Sequence, residues 1–252
     1  MTDRTPRSPE ERLGEARNLI AKRGAVRIDD LAARFGVSEM TVRRDLDELD
    51  ALGLAQRVRG GAMALGPEPW AQRHQHNARA KAKIAEKLQP LVPTSGTIAL
   101  DASTTIYRLA GSLEPVRALV VVTNGWDAFH SMRDAPGVTA HITGGTEEPR
   151  TGSLVGPLAV RAAQAFLYDV FFSSAAALDS SLGTSEAGLA ESEVKRAFSQ
   201  NSNRIVLALH HEKLDTRAQA RVFDLDQIDL LVTDLDPADP RLDAYRNLVR
   251  LA

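Results

Sequence analysis

A small α+β domain followed by a larger α/β domain, with a mostly parallel sheet and helices on both faces, is the architecture this 252-residue sequence predicts. Three observations carry the prediction. Residues 10–53 hold three short helical patterns separated by glycine stops, and residues 54–64 alternate around a Gly-Gly pair. From residue 81 onward, six short apolar runs alternate with helix-like segments. The expected boundaries are a first domain over 8–63, a linker over 64–80 and a second domain over 81–252.

The first helix runs from Glu10 to Arg23, with Leu13, Ala16, Leu19 and Ile20 at helical spacing, and ends near Gly24. A second begins after Val26: Asp29 and Asp30 suit its positive N-terminal dipole, Leu31, Ala32 and Phe35 face inward, and Gly36 breaks it. Ser38 then caps a third helix, EMTVRRDLDELDALG, whose Val42, Leu46 and Leu49 share one face and whose stop is Gly53. This is a helix, a tight turn and a helix. The segment LAQRVRGGAMA, with Gly60-Gly61 at its turn, reads as a two-stranded ribbon. Together they make a winged helix-turn-helix.

The linker, rich in Pro, Gly, Gln and His, has no clear period. Beyond it, the runs TIALD (97–101), ALVVVT (118–123), VTAHIT (138–143), DVFFSS (169–174), RIVLAL (204–209) and DLLVTD (229–234) are nearly continuous in apolar character, as strands buried on both faces are.

Composition narrows the function classes. With 43% hydrophobic residues the chain can fill a core in each domain, and its polar start and lack of a run of about 18 apolar residues exclude a membrane helix and predict a cytoplasmic protein. Zero cysteines exclude disulfides, thiolate metal sites and a cysteine nucleophile. No cofactor and no metal are expected. Residues 1–62 carry a net charge of +1 and the remainder −3, a balance unlike that of a non-specific DNA-packaging protein.

Charge placement is more telling. Met40 and Arg44 project away from the Val42–Leu46–Leu49 face, flanked by Thr41 and Arg43, while Asp45, Asp47, Glu48 and Asp50 make the later turns acidic. Only the N-terminal half of this helix can approach a phosphate backbone. In the docking geometry of such motifs those first turns enter the major groove, where arginine reads guanine and Thr or Met touches a thymine methyl. Ser38, Met40, Thr41, Arg43 and Arg44 are the candidate DNA-reading residues, with Arg57, Arg59, Gly60 and Gly61 on the wing beside the phosphates. Taken alone, the arginine pair equally suits a solvated helix face. Its conjunction with the Ser cap, the acidic later turns and the basic Gly-Gly wing favours DNA.

The string VSEMTVRRDLDELDALGLAQRVRGGA resembles the helix-turn-helix and wing of the DeoR family of bacterial regulators, whose pattern is VS-x-x-T-I-R-R-D-L followed by a wing ending in GGA. The resemblance extends over roughly residues 10–235. It implies double-stranded operator DNA as a partner, assembly as a dimer or tetramer, no membrane, and a second domain related to ribose-phosphate isomerase that binds a phosphorylated sugar. It implies a repressor of carbohydrate-metabolism genes rather than an enzyme.

The resemblance also selects effector-binding candidates. Asp101, Ser103, Thr104 and Thr105 correspond to the family's D-x-G-T-T, with Ser103 in place of the glycine; a strand-to-helix turn of this kind binds anions or simply caps a helix. Asn124, Gly144 and Gly145 close the second and third strands, where open parallel sheets bind ligands, although turns would use the same residues. Ser153 and Gly156 fit as well. Lys195 and Lys213 match two late lysines, either phosphate partners or exposed surface residues. The family's L-A-D-S-S-K stands here as Ala208-Leu209-His210-His211-Glu212-Lys213, so His210 replaces an aspartate, which implies an effector with more negative charge or fewer hydroxyls. His210-His211 and His74-x-His76 lack a convincing third metal ligand. The competing reading is a sugar-phosphate isomerase carrying a DNA-binding domain, with Asp101, Asp179 or Glu186 as base, which leaves the first 62 residues without a use.

Overall fold

A computed structural model describes residues 8–52, 54–63 and 69–252. The expected stop at Gly53 and the first part of the expected linker, residues 64–68, lie outside them. The chain divides into two compact units, Met1–Arg73 and His74–Ala252.

The first unit comprises α1 (Pro9–Arg23), β1 (Ala25–Arg27), α2 (Ile28–Phe35), α3 (Glu39–Ala51), β2 (Gln56–Val58) and β3 (Gly61–Met63). Ser8 opens α1 with a capping box: its hydroxyl accepts from Glu11 N, and the Glu11 carboxylate accepts from Ser8 N. Gly24 and Gly36 close α1 and α2 with positive φ. The helices bury Ala16, Ile20, Leu31, Phe35, Val42, Leu46 and Leu49 in one core. The wing, expected as a two-stranded ribbon, is three-stranded, because β1 adds to the free edge of β3. Gly61 is required there, since a Cβ would stand 2.0 Å from the Val26 carbonyl oxygen.

Asp45, expected among the solvated acidic residues of α3, is buried instead. Arg12 of α1 donates to both its oxygens, Nε to Oδ2 at 2.9 Å and Nη2 to Oδ1 at 3.1 Å, with both residues under a tenth exposed.

Within the expected linker, residues 64–80, lie α4 (Trp70–Gln75) and the start of α5 (Ala78–Leu88). The second unit continues with β4 (Ser95–Leu100), α6 (Thr104–Ala110), β5 (Ala118–Thr123), α7 (Trp126–Ser131), β6 (Val138–Ile142), β7 (Thr146–Glu148), β8 (Ser153–Val155), α8 (Pro157–Gln164) and β9 (Val170–Ser173). It ends with β10 (Ala177–Asp179), β11 (Gly183–Glu186), α9 (Leu189–Gln200), β12 (Ile205–Ala208), β13 (Ala220–Arg221) and β14 (Leu230–Val232). All six apolar runs read from the sequence are strands of one parallel sheet, ordered β14-β12-β9-β4-β5-β6.

Alternate side chains of each strand enter opposite cores, as a pleat requires. Ile98, Leu100, Phe172 and Val206 pack with Ile84 and Leu88 of α5, Ile106 and Leu109 of α6 and Ala128 of α7. Ala99, Phe171 and Leu207 pack on the other face with Ala159 and Ala163 of α8 and Val194 and Phe198 of α9. After β4 the chain moves outward through β5 and β6, then returns to add β9, β12 and β14 on the other side. The order therefore reverses between β4 and β9, and the crevice at their carboxyl ends is the ligand position of open parallel sheets.

Arg12→Ala strands the Asp45 carboxylate in the first core and should lower the opening free energy of the Leu46 and Leu49 amides, measured by hydrogen exchange, by about 3–5 kcal/mol, whereas the double change Arg12→Met with Asp45→Leu should cost little.

Candidate functional site

The first candidate site is the start of α3 and the wing. Ser38 Oγ accepts from Thr41 N at 3.2 Å and lies 3.0 Å from the Thr41 hydroxyl, so the cap fixes the first turn. Met40 is 60% exposed, and Arg43 and Arg44 are also exposed, with Arg43 Nη2 3.5 Å from Glu39. Arg59 and Gly60 stand exposed at the wing turn. Arg57, expected to grip phosphate, is partly exposed and bonded within the unit: its Nε donates to Asp47 at 2.7 Å, its guanidinium also donates to Gly61 O, and its backbone N donates to Asp50. These bonds tie the wing to α3 through Asp47 and Asp50.

The second site lies at the carboxyl ends of the parallel strands. Asp101 follows β4 and has no exposed surface. Its Oδ1 accepts from Ser103 N at 2.9 Å; its Oδ2 accepts from Ser174 N at 2.7 Å and Ser173 Oγ at 3.0 Å and lies 3.0 Å from Lys195 Nζ. Lys195, from α9, also donates to Glu186 Oε1 at 2.5 Å and to Ser174 O at 2.8 Å. Burial alone would raise the Asp101 carboxyl, but Lys195 and the bonds from Ser103 and Ser174 outweigh it and hold the group below the usual carboxylate range. Burial lowers Lys195, and Asp101, Glu186 and Glu191 reverse that into a raised value. Both residues were expected to bind an effector, and the structure brings them together as an ion pair at the strand ends.

Around that frame the structure gathers the other expected residues. Ser103 caps α6 through Ile106 N at 3.2 Å, and Thr104 and Thr105 are buried behind it. Asn124 follows β5, and its amide nitrogen donates to Leu154 O at 3.2 Å. Gly144 and Gly145 follow β6 with positive φ; a Cβ on Gly145 would stand 2.5 Å from the Val155 carbonyl oxygen, so this glycine serves the packing of β8. Ser153 is buried, 2.7 Å from the Thr151 hydroxyl. Lys213 donates to Ala175 O at 2.5 Å. His210 and His211 have separate partners: His210 Nδ1 lies 3.1 Å from Asn77 Nδ2, and His211 Nδ1 lies 2.7 Å from Asp234.

Several buried polar atoms here have no hydrogen-bond partner: Thr105 Oγ1, Asn124 Oδ1, Ser174 Oγ and Glu191 Oε2. Burial raises the Glu191 pKa. Lys81 is 2% exposed and donates to His76 O at 2.7 Å, close enough to His210 to act on its charge. Sequence reasoning missed Lys81, Asn77, Ser174 and Glu191. Lys81 left a readable signal, a lysine sharing the apolar face of Ile84, Ala85 and Leu88 at helical spacing. Ser174 left none, because only the contact between β9 and β4 brings it to Asp101.

The three carboxylates considered as a catalytic base are all held in ion pairs. Asp101 and Glu186 share Lys195, and Asp179 accepts from Arg217 Nε at 2.6 Å and from Ser181, which lower its pKa.

Residues 12–67 match the DeoR-like helix-turn-helix domain, and residues 76–235 match the DeoR C terminal sensor domain. The chain belongs to the DeoR family. It is 30% identical over 230 residues to the HTH-type transcriptional regulator GolR of Listeria innocua, covering 90% of this chain and 91% of that protein. To the glycerol-3-phosphate regulon repressor of Escherichia coli it is 28% identical over 222 residues, 87% of this chain and 88% of the other. Among solved structures, ribose 5-phosphate isomerase A of Methanocaldococcus jannaschii aligns at 15% identity and TM-score 0.40 over 55% of each chain. This DeoR-family protein is thus a DNA-binding transcriptional regulator with a sensor domain, and among the described residues no helix is long and apolar enough to cross a membrane.

His210 gives the sensor unit an acid sensitivity of calculable sign. Burial, then Lys213 and Lys81, push its pKa from the ordinary 6.5 down to about 3, so the neutral ring is a native-state feature. Its contribution is present above pH 6.5 and is lost as pH falls toward 3. Denaturant midpoints between those limits should decline in the wild type and decline less in His210→Asn.

Proposed function

We propose that this DeoR-family regulator represses carbohydrate-metabolism genes and that a phosphorylated sugar, bound at the carboxyl ends of the parallel strands, sets its affinity for operator DNA. The observation that carries the effector reading is the cluster of buried, unpartnered polar atoms, Thr105 Oγ1, Asn124 Oδ1 and Ser174 Oγ, at the strand ends around the reversal of strand order. Such atoms cost about 1–3 kcal/mol each when left unsatisfied, and a polyhydroxylated ligand satisfies them together. Lys81 and Lys213 supply positive charge for the phosphate, and Asp101 with Lys195 holds the site open around it.

In this reading Ser38, Met40, Thr41, Arg43 and Arg44 face the major groove, and Arg59, Gly60 and Gly61 face the adjacent phosphates. A dimer or tetramer would present two such helices to a two-fold operator. Two relatives support the direction by name, the glycerol-3-phosphate regulon repressor and the HTH-type transcriptional repressor CsqR, both of Escherichia coli. Relief of repression requires that the effector bind the form with weaker DNA affinity better.

Arg44→Ala should weaken binding to the selected operator by about 1–3 kcal/mol and relax base preference at one position, read by DNA-binding titrations across single-base variants; an unchanged preference removes Arg44 from base reading. Thermal-shift screening of sugar phosphates against their unphosphorylated parents should raise the melting temperature only for phosphorylated compounds, and Lys81→Ala should reduce that rise while leaving operator affinity without effector intact. A response to the parents alone would overturn the phosphate reading.

A further inference from the structure

Glu39 is the first residue of α3 after the Ser38 cap, and its side chain is 59% exposed. Helical side chains tilt toward the N-terminus of their helix, so those of Glu39 and Met40 lead α3 into the groove that its first turns enter. A carboxylate there has the wrong sign for phosphate. The later acids of α3 are differently placed: Asp45 is bonded to Arg12, Asp47 and Asp50 accept from Arg57, and Glu48 is exposed in the third turn. Among the described residues the Glu39 carboxylate has one polar partner, Arg43 Nη2 at 3.5 Å from Oε2. So long a contact between two exposed groups contributes little stability and leaves Oε1 open to another donor. A carboxylate at this end also suits the helix dipole, a role that is the same on any DNA sequence.

The major groove offers a carboxylate few partners. Guanine presents N7 and O6 and thymine presents O4, all acceptors that repel it. Adenine sets its N6 donor beside the N7 acceptor. Cytosine presents an amino group, N4, with no acceptor beside it on the same base.

We propose that Glu39 is a specificity-determining residue of the operator contact, its carboxylate accepting a hydrogen bond from the N4 amino group of a cytosine in each half-site. The inference rests on the docking of α3 stated above and adds one base to it. Met40 and Arg44 act by attraction to a thymine methyl and to guanine, whereas Glu39 acts as much by repelling the three wrong bases as by binding the right one.

Selection from a pool of random-sequence duplex DNA with the full chain defines the half-site, and titrations against its single-base variants read each position. One position should require cytosine, and its replacement should weaken wild-type binding at least about fivefold. Glu39→Gln should remove that requirement and favour adenine in its place, because an amide pairs bidentately with adenine N6 and N7. Glu48→Gln, the same neutralisation in the third turn, should leave the preference at every position unchanged. A cytosine requirement that survives Glu39→Gln, one that Glu48→Gln removes equally, or a lowered melting temperature of Glu39→Gln with unchanged base preference, as a dipole role alone would give, overturns the proposal. If Arg44→Ala alters base preference and Glu39→Gln does not, the docking of α3 stands and this proposal falls alone; if neither alters it, the docking falls as well.

Discussion

Asp101 sits without solvent exposure at the point where strand order reverses, and the sensor unit is arranged to keep it charged. Four groups converge on its two oxygens, from the turn after β4, from β9 and the residue following it, and from α9. Because Lys195 also holds Glu186 and the Ser174 carbonyl, one ammonium registers β9, β11 and α9 against the end of β4. Removing either charge would leave the other buried and uncompensated, the costly case for a buried ion pair. Buried pairs of this kind often add little net stability over an apolar substitute. What it provides is a unique geometry for the crevice where the sheet opens.

The DNA-binding unit uses the same device. Arg12 reaches from α1 to Asp45, inside the helix that bears the exposed arginines, and both carboxylate oxygens are bonded. Asp47 and Asp50, on the outer side of that helix, hold Arg57 and hence the wing. The acidic residues of α3 are therefore a scaffold, dividing inward and outward tasks between the core and the wing. Arg43 and Arg44 stay exposed on the turns before them.

The two sites differ in how much of their polar capacity is used. At the DNA-binding face, charged groups are exposed and solvated, so a bare surface costs little. At the strand ends, Thr105, Asn124 and Ser174 keep buried polar atoms unsatisfied, a cost a stable fold tolerates only in a few places. The fold carries this cost at the strand ends that also hold the buried Asp101–Lys195 pair.

The sequence alone determined the three helices of the first unit, the six parallel strands, and the capped helix with its arginines, because pleat, helical period, caps and glycine stops are written in near neighbours. It also placed Asp101, Lys195 and His210 in one region through the resemblance to a family pattern. Tertiary structure decided their tasks. Arg12 and Asp45 are 33 residues apart, and Asp101 and Ser173 are 72 apart; no local period records such pairings. Asp101 pairs with Lys195, and Arg57 of the wing pairs with Asp47 of the helix, because a charge brought in by packing finds its partner wherever the fold provides one.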